Sequence, residues 1–266
     1  MSRVFEMRIP YYQVNAFTSR NFGGNPAGVC LLDSWLPDPL LQQIAAENNL
    51  SETAFLVPHD SFFDLRWMTP EAEVDLCGHA TLAAAHVLFF EKKLPWNEVP
   101  FQTASGRLTA TRREGAIELD FPSRPAEPCV VPEALLRGLR AMPREVLKSR
   151  DYLAVFESAA QVAAISANFD LLAGLDCLGT IVTAPGVDVD FVSRFFAPQV
   201  GVPEDPVTGS AHSTLIPYWA RRLGKTELRA RQISKRQGEL ACRLLGDRVG
   251  ISGTAVVYCR GELDVL

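Results

Sequence analysis

The sequence predicts an α+β protein of two pseudo-symmetric domains, each a curved, mostly antiparallel sheet around a central helix. An internal repeat is the first observation behind this. Arg66-Trp67-Met68-Thr69-Pro70 runs through an acidic segment to Cys77-Gly78-His79-Ala80-Thr81, and Arg194-Phe195-Phe196-Ala197-Pro198 runs through Glu204-Asp205 to Thr208-Gly209-Ser210-Ala211-His212. Gly106-Arg107-Leu108 and Gly238-Glu239-Leu240 extend the match. A period of about half the chain is too long for a solenoid and suits two domains. Short apolar or alternating runs bounded by Gly, Pro, Asn or Asp are the second observation, because that punctuation marks strands. The third is a helix starting at Gly78 whose Leu82, Ala83, Ala85, His86, Leu88, Phe89 and Phe90 are apolar almost all round, as in a helix wrapped by sheet.

In chain order, strands are expected at Tyr11 to Phe17, Ala27 to Leu32, Thr53 to Val57 and Phe62 to Met68. A helix is expected from Pro39 to Asn48, where Leu40, Leu41, Ile44 and Ala45 fall at helical spacing and Asn48-Asn49 tolerates a left-handed stop. After the Gly78 helix come strands near Arg107 to Thr111 and Ala116 to Phe121. Pro122 to Pro128 holds three prolines and no periodicity, so it reads as the connector between domains 1–124 and 125–266. In the second half, Tyr152 to Phe156, Val162 to Ile165, Gly179 to Thr183 and Val189 to Phe196 read as strands and Ser210 to Leu223 as the matching helix. Glu227 to Ile233, Leu240 to Leu245 and Val249 to Tyr258 complete it as strands.

With 47% hydrophobic and 21% charged residues, the 266-residue chain has ordinary globular composition. A net charge of −5 argues against nucleic acid or an anionic membrane as partner, since the basic residues form only scattered pairs such as Arg112-Arg113 and Lys235-Arg236. Met1 to Arg8 alternates charged and apolar residues without a leader's apolar core, and Leu82 to Phe90 is too short to span a bilayer. A cytoplasmic location is the expectation. Six cysteines without a Cys-x-x-Cys pair read as small buried side chains, and no structural zinc is expected.

No dinucleotide motif, P-loop or nucleophile elbow is present, and Gly23 to Gly28 reads as a tight turn leading into a strand. Glu71, Glu73, Asp75 and His79 read as a solvated acidic loop rather than a metal site. Glu52 is the only charge in Asn49 to Val57, at the start of a strand buried on both faces. Burial there would lift its pKa toward neutrality, as a general acid/base requires, though a strand-end glutamate in a salt bridge reads the same way. His79 follows Gly78, and Asp205 stands before Pro206 in the loop feeding the second helix, where the proline holds it extended. Two helix N-termini facing one cleft would hold a carboxylate or developing oxyanion. His86 reads as core, His212 is undecided, and the loop residue His59 has no supporting context.

Asn15-Ala16-Phe17, Gly24-Asn25-Pro26-Ala27-Gly28, Ser51-Glu52-Thr53-Ala54-Phe55, Cys77-Gly78-His79-Ala80-Thr81 and Asp205 to Ala211, in this order, resemble the PhzF family of phenazine biosynthesis. The resemblance implies the diaminopimelate epimerase fold, frequent homodimers and a cofactor-free isomerase, whose namesake moves a proton between carbons of a dihydro-hydroxyanthranilate ring. It implies Glu52 as general acid/base, assisted by His79 and Asp205, with substrate contacts at Ser51, Gly78, Gly209 and Ser210. The expected partner is a small carboxylated substrate, with no cofactor and no metal. Related racemases use two cysteines just before the paired glycines; here those positions are Cys77 and Thr208, and a hydroxyl is too weakly acidic to be the second base. An amino-acid epimerase or racemase with an altered base pair stands as the alternative enzyme. A non-catalytic small-ligand-binding protein of the same fold is the third reading.

Overall fold

A computed structural model describes residues 7–265, so Met1 to Glu6, read above for a leader, lie outside the described residues. The chain divides into two compact units, one of residues 1–119 with 253–266 and the other of residues 120–252.

The first unit begins with β1 (Met7–Ala16) antiparallel to β2 (Asn25–Leu31). Helix α1 (Asp38–Asn48) then crosses over to β3 (Glu52–Pro58), which runs parallel to β2. Asn49 ends α1 in the left-handed conformation, with φ 47°, as its residue type suggests. A hairpin leads to β4 (Phe63–Met68) and the short β5 (Glu73–Val74). Helix α2 (Gly78–His86) is the second crossover and leads to β6 (Glu98–Thr103), parallel to β4; β7 (Gly106–Arg113) follows antiparallel to β6, and β8 (Ala116–Pro122) carries the chain toward the second unit.

Helix α2 is buried from Gly78 through Ala85 and packs on β1, β2, β3 and β7. Ala80, Ala83, Ala84 and Ala85 let the sheet come close on several sides, while Leu82 and Leu88 fill the interior, each burial contributing about 2 kcal/mol. The helix continues as a π-turn over Val87–Glu91. Arg112 closes that end by donating to the carbonyl oxygens of Phe89 and Leu94 while lying over both Phe89 and Phe90. A second core forms where Leu41, Ile44 and Ala45 of α1 meet Ile9, Cys30, Phe55, Val57 and Met68.

The second unit repeats the plan. The pair β9 (Glu127–Pro128) and β10 (Glu145–Lys148) precedes β11 (Tyr152–Val155), with α3 (Glu133–Leu139) between the first two. Helices α4 (Ala159–Ala164) and α5 (Phe169–Ala173) cross over to β12 (Thr180–Pro185), parallel to β11, as α1 joins β2 to β3. Then come β13 (Phe191–Ala197), β14 (Val202–Asp205), α6 (Gly209–Leu223), and β15 (Glu227–Gln232), which is parallel to β13. The unit closes with β16 (Gly238–Leu245) and β17 (Arg248–Gly253). Its core gathers Leu135, Leu139, Val162, Leu172 and Phe196.

Pro217 lies inside α6, where a proline deprives the carbonyl four residues earlier of its donor. Arg124 N–H takes that place, 2.8 Å from the Ser213 oxygen. The proline-rich connector therefore repairs the helix it precedes, instead of serving only as a tether.

Two expectations need correction. Val162 to Ile165 is not a strand: α4 covers Ala159–Ala164, started by a capping box in which Ser158 accepts from Gln161 N–H while the Gln161 side chain accepts from Ser158 N–H. The second domain also does not run from 125 to the end of the chain. The run from Val249 to Tyr258 is split, and β18 (Ala255–Val265) returns to the first unit, antiparallel along the whole of β1 from Met7↔Val265 to Ala16↔Ala255. Gly253, beside the break, faces the ring of Phe17, and a Cβ there would stand 2.4 Å from it.

Candidate functional site

Glu52 opens β3, followed by five buried residues, and its register opposite Ala27 brings it to the start of β2. His79 is the second residue of α2, in the fully buried first turns. Their side chains meet: His79 Nε2 is 3.1 Å from Glu52 Oε2, with side-chain exposures of 4% and 15%. The salt-bridge reading of Glu52 is thus realised, with the His79 imidazole as its partner. On the other side of the ring, Asn25 Nδ2 is 3.1 Å from His79 Nδ1, and Cys77 Sγ is 3.5 Å from it.

Burial depresses the basicity of His79, but the charges of Cys77 and Glu52 outweigh it, so the imidazole titrates well above the usual histidine range. The Cys77 thiol is itself pushed up to about 11, mainly by burial and next by the nearby Glu52. Asn25 can serve either state of the ring: its NH2 donates to an unprotonated nitrogen, and the amide turned over offers its oxygen to a protonated one. The turn before it fixes this residue. Gly24 has φ +63°, and a Cβ there would collide with the Ala16 carbonyl at 2.1 Å.

In the second unit, Asp205 ends β14 and Gly209 opens α6, with Ser210 next to it. The Thr208 hydroxyl donates to Asp205 Oδ2 at 2.5 Å. His212 Nδ1–H donates to the Thr208 carbonyl at 2.8 Å, and burial pushes its pKa down to about 4, so the ring is neutral near pH 7. His86 is partly buried against Phe90, and His59 pairs with Asp64 at 2.9 Å while stacking on Phe62. Ser51 and Gly78 flank Glu52 and His79 in sequence, Ser51 partly buried and Gly78 buried.

Glu73 of the acidic segment is held by Arg66, Nε to Oε1 at 2.7 Å and Nη2 to Oε2 at 2.6 Å. Among the described residues, the group whose atoms could reach one metal ion is instead Glu52, Cys77 and His79, within 4.8 Å of one another. In the arrangement present, Glu52 and Cys77 address opposite nitrogens of the His79 ring. A single ion bound by all three would have to displace either the ion pair or the Asn25 contact.

Sequence reasoning gave no role to Asn25 or Gln232. Gln232 occupies the buried phase of β15, in step with Leu228 and Ala230, and a polar residue on the apolar beat of an alternating strand is a readable signal.

Residues 14–261 match the family described as phenazine biosynthesis-like protein. The chain belongs to that family. An uncharacterized isomerase of Pseudomonas aeruginosa is 51% identical over 259 residues, 97% of this chain and 100% of the relative. A crystal structure of a phenazine biosynthesis protein of the PhzF family from Enterococcus faecalis superposes with a TM-score of 0.95 at 46% identity, covering 97% of this chain and 100% of that one. A probable proline racemase from Agrobacterium radiobacter shares the fold, with a TM-score of 0.67 at 13% identity over 96% of this chain and 92% of that one. The fold is therefore the α+β architecture common to PhzF proteins and this probable racemase, and at the level of the family the activity class is isomerase. Among the described residues no helix is long and apolar enough to cross a membrane.

Proposed function

We propose that this chain is a cofactor-independent isomerase that moves a proton between carbons of a small carboxylated metabolite, with Glu52 as the general acid/base. The observation that carries the reading is the buried contact of Glu52 Oε2 with His79 Nε2, backed by Asn25. A carboxylate held at a fixed place beside a carbon acid can take its proton as general base, and an adjacent imidazolium can steady the charge that moves onto the substrate. In the proposed cycle Glu52 removes a proton from one carbon, the electron pair spreads over the substrate's conjugated system, and Glu52 returns the proton to another carbon. His79 and Asp205 hold the polar substituents or assist the transfer. Ser51, Gly78, Gly209 and Ser210 contact the substrate, and the protein works in the cytoplasm as a homodimer.

The thiol racemase is the weaker reading. Cys77 is a neutral thiol near neutral pH, and Thr208 supplies no second thiol.

Incubation in D2O with a panel of small carboxylates, including a dihydro-hydroxyanthranilate, proline and diaminopimelate, tests the proposal by mass spectrometry of incorporated deuterium. Wild type and Cys77→Ser are expected to exchange at least one member, and Glu52→Gln to lose at least about a hundredfold. Exchange by Glu52→Gln above about a tenth of the wild-type rate overturns the assignment.

A further inference from the structure

The Asp205–Thr208 segment is held by a residue outside the family motif. Gln232 is fully buried at the end of β15 and makes three hydrogen bonds to this segment. Its Oε1 accepts from Thr208 N–H at 2.9 Å, and its Nε2 donates to the Asp205 carbonyl at 2.8 Å and to Thr208 Oγ1 at 3.2 Å. A backbone N–H can only donate and a carbonyl can only accept, so the amide cannot be turned over without losing both bonds. Two residues on, Ser234 Oγ donates to the Pro206 carbonyl at 2.7 Å. Gln232 at the end of β15 and Ser234 beyond it thus tie down the carbonyls of 205 and 206 and the amide of 208.

This leaves the Thr208 hydroxyl one direction. Its oxygen receives the Gln232 N–H, so its own proton points to Asp205 Oδ2, 2.5 Å away. We propose that Gln232 is a positioning residue that aims the Thr208 hydroxyl proton at Asp205, presetting the rotamer and charge state of that carboxylate for substrate. The proposal rests on the reading above that Asp205 meets the substrate. It also gives a role to the residue at the second racemase cysteine position, since Thr208 becomes a fixed donor to an acid and not a base.

A hydrogen bond to an ionised carboxylate favours the charged form, so its loss should be read in the titration of Asp205 itself. The measurement is the 13Cγ chemical shift of Asp205 against pH in the full-length protein, for wild type, Thr208→Ser, Thr208→Val and Gln232→Met. Thr208→Ser is expected to match wild type. Thr208→Val should raise the midpoint by about one unit, and Gln232→Met should raise it in the same direction by less, because the freed hydroxyl can still reach Asp205 part of the time. If Gln232→Met does not fold, Gln232→Asn, which keeps the amide on a shorter stem, takes its place with the same expectation. An unchanged midpoint in Thr208→Val, or a midpoint in the folded Gln232 variant equal to wild type, overturns the proposal. Deuterium exchange by Asp205→Asn is measured in parallel. Wild-type exchange there removes Asp205 from the reaction, whereas lost exchange with unmoved midpoints removes only the role of Gln232.

Discussion

Arg194 grips Glu204 with two nitrogens, Nε at 2.7 Å and Nη2 at 3.0 Å, one strand before the loop that opens α6. Arg66 grips Glu73 in the same fork ahead of α2. The arginines that mark the repeat in the sequence are therefore equivalent fasteners: each ties the last long strand before a central helix to the short strand that leads into it. The two clamps differ in environment. Arg194 also donates to the carbonyls of Val162 and Ile165, and its side chain is 14% exposed, whereas the second partner of Arg66, Asp38, is largely in solvent.

From that difference, Arg194→Met should cost about 3 kcal/mol of stability, because it strands several partly buried acceptors as well as a carboxylate. Arg66→Met should cost about 1 kcal/mol, the usual scale of a more exposed pair. Urea unfolding of the two variants against wild type checks the order, and equal losses would show that burial does not separate the two clamps.

His212 gives stability a dependence on pH. Its folded pKa of about 4 lies below the ordinary 6.5, so the unfolded chain binds the proton more readily. Its contribution is complete above the ordinary value, declines as the pH falls, and is lost below the folded one. The most it can amount to is about 3 kcal/mol. The drop in unfolding free energy between pH 7 and pH 4.5 should be smaller in His212→Gln than in wild type, and an identical drop would mean that the ring titrates normally.

His79 carries the opposite sign. With its folded value raised, the stability from its pairing is complete below the ordinary histidine value and is lost as the pH rises through the raised one. Glu52→Gln removes the carboxylate and leaves the burial, so the His79 midpoint should fall by about one unit or more. Imidazole carbon shifts followed by NMR report this without any substrate, and a midpoint that stays in place would assign the shift to another partner.

The parts of the fold that were legible in the sequence are those fixed by local pattern. The wrapped helix α2 announced itself through apolar residues all round, α1 through its spacing and its asparagine stop, and the repeat through residues whose work is now visible in the arginine forks. Two other features were lost to competing signals. Val162 to Ile165 is a short apolar run that reads like a buried strand, but the capping pair of Ser158 and Gln161 lies outside that run and decides for helix. β18 continues the apolar pattern of β17, and nothing local says that its hydrogen-bonding partner is β1, at the far end of the chain. In the site, Glu52 and His79 could be named singly, yet their contact depends on the packing of α2 against β3, which no short window contains. Gln232 and Asn25 act through side-chain hydrogen bonds to residues 24 and 54 positions away, and such partners become readable only once the sheets are formed.

The environment of Cys77 leads to a last prediction. Cys77 is 5% exposed and its thiol is pushed up to about 11, while Cys259 on β18 is exposed. A thiol-specific reagent such as dithionitrobenzoate at pH 7.5 should label Cys259 rapidly and leave Cys77 unlabelled in the native protein, because the thiolate is the reactive form and both its population and its access are low. By the same reasoning, Cys77→Ser should keep at least about a third of deuterium exchange on any substrate that wild type accepts, and prior treatment with EDTA should leave that exchange unchanged. Two further outcomes carry distinct meanings. Fast labelling of Cys77 with parallel loss of exchange would restore the thiol racemase. Loss on chelation, reversed by one added metal ion, would mean that Glu52, Cys77 and His79 close around that ion, with the His79 ring released from Asn25.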